Sequence, residues 1–210
     1  MRPYPTYEPS GVPWLGDLPA NWALRKIRYL APSVRTKVQG ENVGARYIGL
    51  EHVQSGTGKF VEINDDLQTE SESTVNVFYK GDVLFGKLRP YLAKSVVADT
   101  DGVCSSEFLV LRPEDGVESG YLNRALLMGG VIKTIDAATF GAKMPRADWR
   151  FIGELKLPVP TLDEQIAIAD YLDTETARID DLIREKDELI ALLREAHAAA
   201  FSTAIARFAN

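Results

Sequence analysis

The chain has 210 residues, 45% of them hydrophobic, which is enough for one globular domain with a real core plus an appended element. A single cysteine, Cys104, permits no intrachain disulfide and fits a reducing compartment. No apolar run approaches bilayer length and the opening residues have no apolar leader-like stretch, so a cytoplasmic protein without membrane contact is expected.

The net charge of −6 is unevenly spread. Residues 161–210 carry eleven Asp/Glu against five Lys/Arg, while residues 1–160 carry nineteen of each. The acidity belongs to the C-terminal quarter, so the rest of the chain is free to build a basic face, and nucleic acid is not excluded as a partner.

In chain order, residues 11–22 are aromatic and rich in turn formers, and Trp14 and Trp22 read as anchors pinning this segment to the domain. Residues 23–30 suit strand or helix equally. Residues 46–53 read as a strand, 54–59 as a loop with Lys59 at its tip, and 60–63 as a second strand. Residues 65–73 are polar and irregular. Strands at 75–79 and 82–86 flank a turn at Lys80-Gly81, and strands at 95–98 and 107–111 flank a turn at Asp101-Gly102. Helical spacing appears at 120–128 and again at 131–137, 139–146 is a loop, and 149–157 reads as a strand. Many short strands with a few helices predict an α+β domain of mixed strands over 1–157.

From 158 onward the pattern changes. Pro158 and Pro160 hold the chain extended, and Thr161 stands three residues before Glu164 as a capping box opening a helix. No glycine or proline follows, so about 45 residues at 1.5 Å each give a rod of roughly 65 Å. Its apolar stripe runs through Leu172, Ile179, Leu182, Ile183, Leu189, Ile190 and Leu193, interrupted by Lys186. His197 reads as a helix-face residue. The stripe can pack on the chain's own domain or pair antiparallel with another copy or a matching helix; the second is expected, so 158–210 is assigned to dimerisation. The exposed acids Asp180, Asp181, Glu185 and Glu188 suit either a docking surface or a solvated helix face.

Catalytic motifs are weak. Gly81 to Lys87 follows the first seven positions of a phosphate-binding loop, but Leu88 replaces the hydroxyl residue that would hold magnesium. Asp148, Glu154 and Lys156 have the order of a metal-dependent nuclease site, a spacing that arises often by chance. No zinc-like cysteine and histidine spacing occurs, and no catalytic residue, metal or cofactor is assigned. What remains is basic and aromatic residues in turns. Lys80, Lys87, Arg89, Tyr91 and Lys94 fall within fifteen residues holding one acid, Asp82, and Lys143, Arg146 and Arg150 follow the loop at 139–141. Lysine suits phosphate neutralisation and arginine can fork onto guanine edges, so these residues with Lys59 form a candidate DNA face. The segments 87–91 and 141–146 are the expected base readers, with Lys59, Lys80 and Lys94 on phosphates.

Gly81-Asp-Val-Leu-Phe-Gly-Lys87-Leu-Arg89-Pro90-Tyr91-Leu, followed by Gly102-Val-Cys-Ser-Ser-Glu107-Phe-Leu-Val-Leu-Arg112-Pro113, resembles the target-recognition domain of type I restriction–modification specificity subunits. Gly141-Ala-Lys143-Met-Pro145-Arg146-Ala-Asp-Trp149, the 157–173 exit and the opening Trp14-Leu-Gly-Asp17-Leu-Pro19 resemble other parts of the same family in the same order. The resemblance implies a non-catalytic reader that carries DNA methyltransferase subunits, and in some systems a restriction subunit, onto a two-part target in double-stranded DNA, with 158–210 expected to dock the methyltransferase as well as to dimerise. Family members normally have two recognition domains and two conserved helices, whereas this chain has one of each. A natural half-length subunit or an excised half both lead to the expectation of a homodimer reading inverted half-sites. Two other classes stay open: an acidic adaptor that binds methyltransferase without DNA, and a nuclease using Asp148, Glu154 and Lys156.

Overall fold

The computed structural model describes residues 4–39, 46–61, 74–141 and 143–208. Twelve strands are formed among them: β1 Tyr7–Pro9, β2 Asp17–Pro19, β3 Ala23–Lys26, β4 Ser33–Val34, β5 Lys37–Gln39, β6 Arg46–Ile48, β7 Thr74–Phe78, β8 Val83–Gly86, β9 Ser95–Val97, β10 Gly102–Cys104, β11 Phe108–Leu111 and β12 Lys156–Val159. The described helices are α1 Ile27–Leu30, α2 Ser119–Leu126, α3 Gly129–Ala137, α4 Trp149–Ile152 and α5 Leu162–Phe208. The mixed-strand α+β domain and the single long C-terminal helix both match the sequence expectation.

Two four-stranded sheets organise the domain. One has the order β5-β7-β10-β6 and the other β4-β11-β8-β9. Phe78, Leu84, Cys104, Phe108 and Val110, with Ile48, Val53 and Val96, form one buried apolar cluster drawn from both sheets. The smaller pairs β1-β2 and β12-β3 complete the set. α2 turns Tyr121, Leu122, Ala125 and Leu126 inward, and its start is capped by Glu118, whose carboxylate accepts the N–H groups of Gly120 and Tyr121. The Tyr121 hydroxyl donates to Pro158 O at 2.8 Å, and burial pushes its pKa well up. Trp14 lies against Gly130 so closely that a Cβ there would meet its ring, and Trp22 meets Tyr4 edge-on with ring centroids 5.8 Å apart. Both tryptophans act as the expected anchors.

Several local readings change. The 46–53 strand stops at Ile48, because His52 Nδ1 accepts the Gly49 N–H at 2.9 Å and closes a 3-10 turn over Leu50–His52. Of the second strand expected at 60–63, Phe60 makes one antiparallel bridge with Val53, and residues 62–73 lie outside the described residues. Asp101-Gly102 is not a simple turn. Gly102 opens β10, where a Cβ would stand 2.4 Å from Arg46 O, so glycine permits the close parallel approach of β6. Residues 23–30 divide into a strand and one helical turn. The strand expected from 149 begins instead at Lys156, because Asp148 Oδ1 accepts the Arg150 N–H at 2.8 Å and starts α4. β1, β2, β4 and β5 are too short for a periodic signal.

The chain divides into two units, Met1–Ala167 and Ile168–Asn210. The capping box forms at the head of α5: Thr161 N donates to Glu164 Oε2 at 2.9 Å, and Glu164 N to Thr161 Oγ1 at 3.4 Å. Glu164 also accepts the Tyr4 hydroxyl at 2.8 Å. Gln165 is buried with its amide in use: Oε1 accepts Glu118 N at 2.9 Å, and Nε2 donates to Gly116 O and Pro160 O at 3.0 and 3.1 Å. In the second unit, Leu172 is half-buried, while Ile179, Leu182, Ile183, Leu189, Ile190 and Leu193 are 45–60% exposed. Phe201, also exposed, stacks on His197 and extends the apolar surface toward the C-terminal end.

Candidate nucleic-acid interface

The hairpin β8–β9 turns through residues 87–94, and this loop is built from unusual backbone. Arg89 (φ 50°) and Ala93 (φ 49°) are left-handed and bracket a 3-10 turn, Pro90–Leu92. A non-glycine residue in that region costs on the order of 1 kcal/mol, so the neighbours must over-determine the conformation. They do so through main-chain hydrogen bonds. Lys87 N donates to Glu107 O, Arg89 N to Pro145 O, Ala147 N to Lys87 O and Gly56 N to Ala93 O, all at 2.8–3.0 Å. Leu88 and Arg146 form an antiparallel bridge, as do Phe140 and Arg146.

These bonds draw three separate loops together. The segments 87–91 and 141–146, chosen from sequence as base readers, are hydrogen-bonded neighbours, and the 54–59 loop carrying Lys59 joins them through Gly56. Arg124 Nη1 secures that loop to α2 by donating to Thr57 O at 2.5 Å. Arg89 and Lys143 are exposed on these loops, with Tyr91 and Phe140 at 51% and 62% exposure, and Arg150 is exposed on α4. Exposed aromatics among cations suit stacking and phosphate contact together.

Not every candidate is equivalent. Arg146 grips Glu107 with two nitrogens, and the carboxylate raises the guanidinium pKa by hydrogen bonding and charge. Lys94 turns inward and donates to Leu50 O at 2.7 Å. Lys80 stands on the β7–β8 turn, at the opposite end of β8 from Lys87, where its N–H donates to Asp101 Oδ1. There it borders a cleft that also holds Asp82, Glu114 and Asp115. Asp82, fully buried, accepts the Tyr79 N–H and a fork from Arg112 with both bonds at 2.8 Å.

Sequence reasoning missed Arg35 and Lys37. Arg35 lies on the link between β4 and β5 and Lys37 opens β5, and both line a cleft of about 360 Å3 with Lys87, Phe140, Arg146 and Trp149. Their only sequence signal was an Arg-Thr-Lys run, with Glu41 the nearest acid in the chain.

The residues weighed for catalysis have other partners. Glu154 pairs with Lys26 at 2.7 Å and with Arg28, and these cations hold its carboxyl below the usual range. Asp148 caps α4. Gly81 to Lys87 is a turn followed by an antiparallel strand rather than a loop opening a long helix. Among the described residues no group of three His, Cys, Asp or Glu is arranged to hold a metal, and no helix is long and apolar enough to cross a membrane.

The chain is 24% identical over 179 residues to the type I restriction enzyme EcoDI specificity subunit of Escherichia coli, covering 84% of this chain and 40% of that protein. The fold is similar to the HsdS subunit from Thermoanaerobacter tengcongensis, with TM-score 0.64 and 23% identity over 81% of this chain and 46% of that one. It is also similar to a chain solved to explain complex assembly and conformational transition of the type I R-M system, with TM-score 0.65, 24% identity and the same coverage. This chain therefore spans under half the length of these relatives. Residues 22–192 match the model of the type I restriction modification DNA specificity domain, and the chain belongs to that family.

Proposed function

We propose that the globular unit reads DNA sequence as the non-catalytic specificity component of a type I restriction–modification assembly. The observation that carries this reading is the hydrogen-bonded apposition of residues 87–91 and 141–146, which gathers Lys87, Arg89, Tyr91, Lys143 and Arg146 at one end of the domain. A rigid loop with exposed arginine and tyrosine can present fixed donors to base edges, while lysines around it neutralise phosphates. Arg89 and Tyr91 are assigned to base reading, and Lys59, Lys143 and Arg150 to phosphate contact. Lys94 is assigned to holding the loop, and Lys80 is left off the interface because acidic residues surround it.

The exposed apolar stripe of α5 pairs with the same stripe of a second copy, antiparallel, so that two identical domains read inverted half-sites. Self-pairing suits it because the surface needs only its own complement. DNA methyltransferase subunits, and a restriction subunit where one is present, complete the cytoplasmic assembly and supply the chemistry. Selection from a pool of random duplexes by the purified chain with its methyltransferase tests the reading. One enriched sequence is expected; binding of methyltransferase without any enrichment indicates an adaptor and overturns it.

A further inference from the structure

We propose that the cleft bordered by Arg35, Lys37 and Lys87 is a seat for a single backbone phosphate of the bound duplex. This inference rests on the DNA-reading proposal and adds a site that the recognition loops alone do not contain.

The cleft forms where the chain crosses between sheets. β4 pairs with β11 in one sheet and β5 with β7 in the other, so residues 35 and 36 bridge the two. Val77 N donates to Thr36 O at 2.8 Å and fixes the crossing. Arg35 and Lys37, one residue apart, both line the same cleft. Lys87 lines it too, on backbone held at each end, its N–H on Glu107 O and its carbonyl accepting Ala147 N, both at 2.9 Å.

The chemistry of the free groups selects the ligand. Among the described residues, Arg35, Lys37 and Lys87 have no ion-pair partner, whereas Arg146 is neutralised by Glu107 and acts as a wall. Asp148 is the one acid in the lining. Ser33 Oγ, a buried atom with no hydrogen-bond partner, adds a hydroxyl from the same lining. Cationic side chains donate and cannot accept, so this set suits an anion. The walls include Val34, Phe108 and Leu109, whose low polarity focuses the field of the cations into the cleft. Duplex phosphates protrude and can enter a concavity that stacked bases cannot reach.

The test compares the wild-type chain with an Arg35→Gln, Lys37→Gln variant, which removes both charges but keeps polar side chains, and with Lys87→Ala as an independent variant. Each is titrated with the selected duplex and with a series carrying one neutral methylphosphonate at successive positions. One substituted position is expected to weaken wild-type binding about fivefold to tenfold and to have no effect on either variant. Because one phosphate is held, the double variant should lower the salt slope by about 0.9, rather than by twice that amount. Identical methylphosphonate profiles in wild type and variants overturn the seat while leaving DNA reading intact. Micromolar affinity for inorganic phosphate without any methylphosphonate effect also overturns it, in favour of a soluble phosphate ligand. Failure of the wild type to bind any duplex overturns the underlying reading and the seat together.

Discussion

Arg146 and Glu107 are joined by a two-pronged ion pair, Nη2 to Oε1 at 2.8 Å and Nε to Oε1 and Oε2 at 3.1 Å each. The pair ties the loop that follows α3 to the turn preceding β11. It also withholds one cation from the interface, so it shapes the surface more than it adds charge. Glu107→Gln should loosen this grip and expose Arg146 to phosphates. Both partners are partly exposed, so the stability loss should be small. DNA titrations at several salt concentrations should give a slope steeper by about 0.9 and a smaller ratio of specific to non-specific affinity. An unchanged slope would show that Arg146 reaches DNA in the wild type already, or never does.

In the proposed reading, Arg89 reads sequence and Lys143 neutralises charge. Arg89→Ala should cost about 1–3 kcal/mol against the selected site and little against random duplex. Lys143→Ala should weaken both duplexes alike and flatten the salt slope by about one. Competition binding with both DNAs checks this, and equal behaviour of the two variants contradicts the assignment.

Ala93 offers a stability test of the same loop. Its φ of 49° penalises any side chain, while its carbonyl does the useful work of accepting Gly56 N–H at 3.0 Å. Ala93→Gly should therefore stabilise the domain by about 0.5–1 kcal/mol, raising its melting midpoint by roughly 1–4 °C. Calorimetry showing a lower midpoint would mean that glycine's added freedom in the unfolded chain outweighs the relieved strain.

Glu154 gives a pH dependence with a definite sign. Its hydrogen bond from Lys26, and then the charges of Arg28 and Lys26, hold its pKa below that of the unfolded chain. The stabilisation is thus present above the unfolded value near pH 4.5 and is lost as pH falls through the lower folded value. Denaturant titrations below about pH 5 should show Glu154→Gln with a shallower acid loss than wild type. A steeper loss in the variant would contradict the direction of the shift.

Much of this was legible in the chain. Pro158, Pro160, Thr161 and Glu164 announce the helix start because capping chemistry is local, and the stripe from Ile179 to Leu193 follows from helical periodicity. Strand pairs around Lys80-Gly81 were visible for the same reason. Gly102 misled because a glycine after aspartate suits a turn, and only the approach of Arg46 shows why a strand needs it there. Trp149–Ile152 misled because Trp149, Phe151 and Ile152 fit a strand, while a single cap from Asp148 decides otherwise. The candidate face was half legible: its loops stood out by composition, but their union depends on hydrogen bonds from Arg89 to Pro145 and Gly56 to Ala93, across more than thirty residues. Arg35 and Lys37 become interesting only once the two sheets bring Lys87 beside them.

The most direct test of two copies reading DNA is methylation mapping of genomic DNA from cells that hold this chain and its methyltransferase. The account predicts one interrupted motif whose two halves are identical and inverted. An asymmetric two-part motif, or methylation that does not depend on this chain, would contradict it.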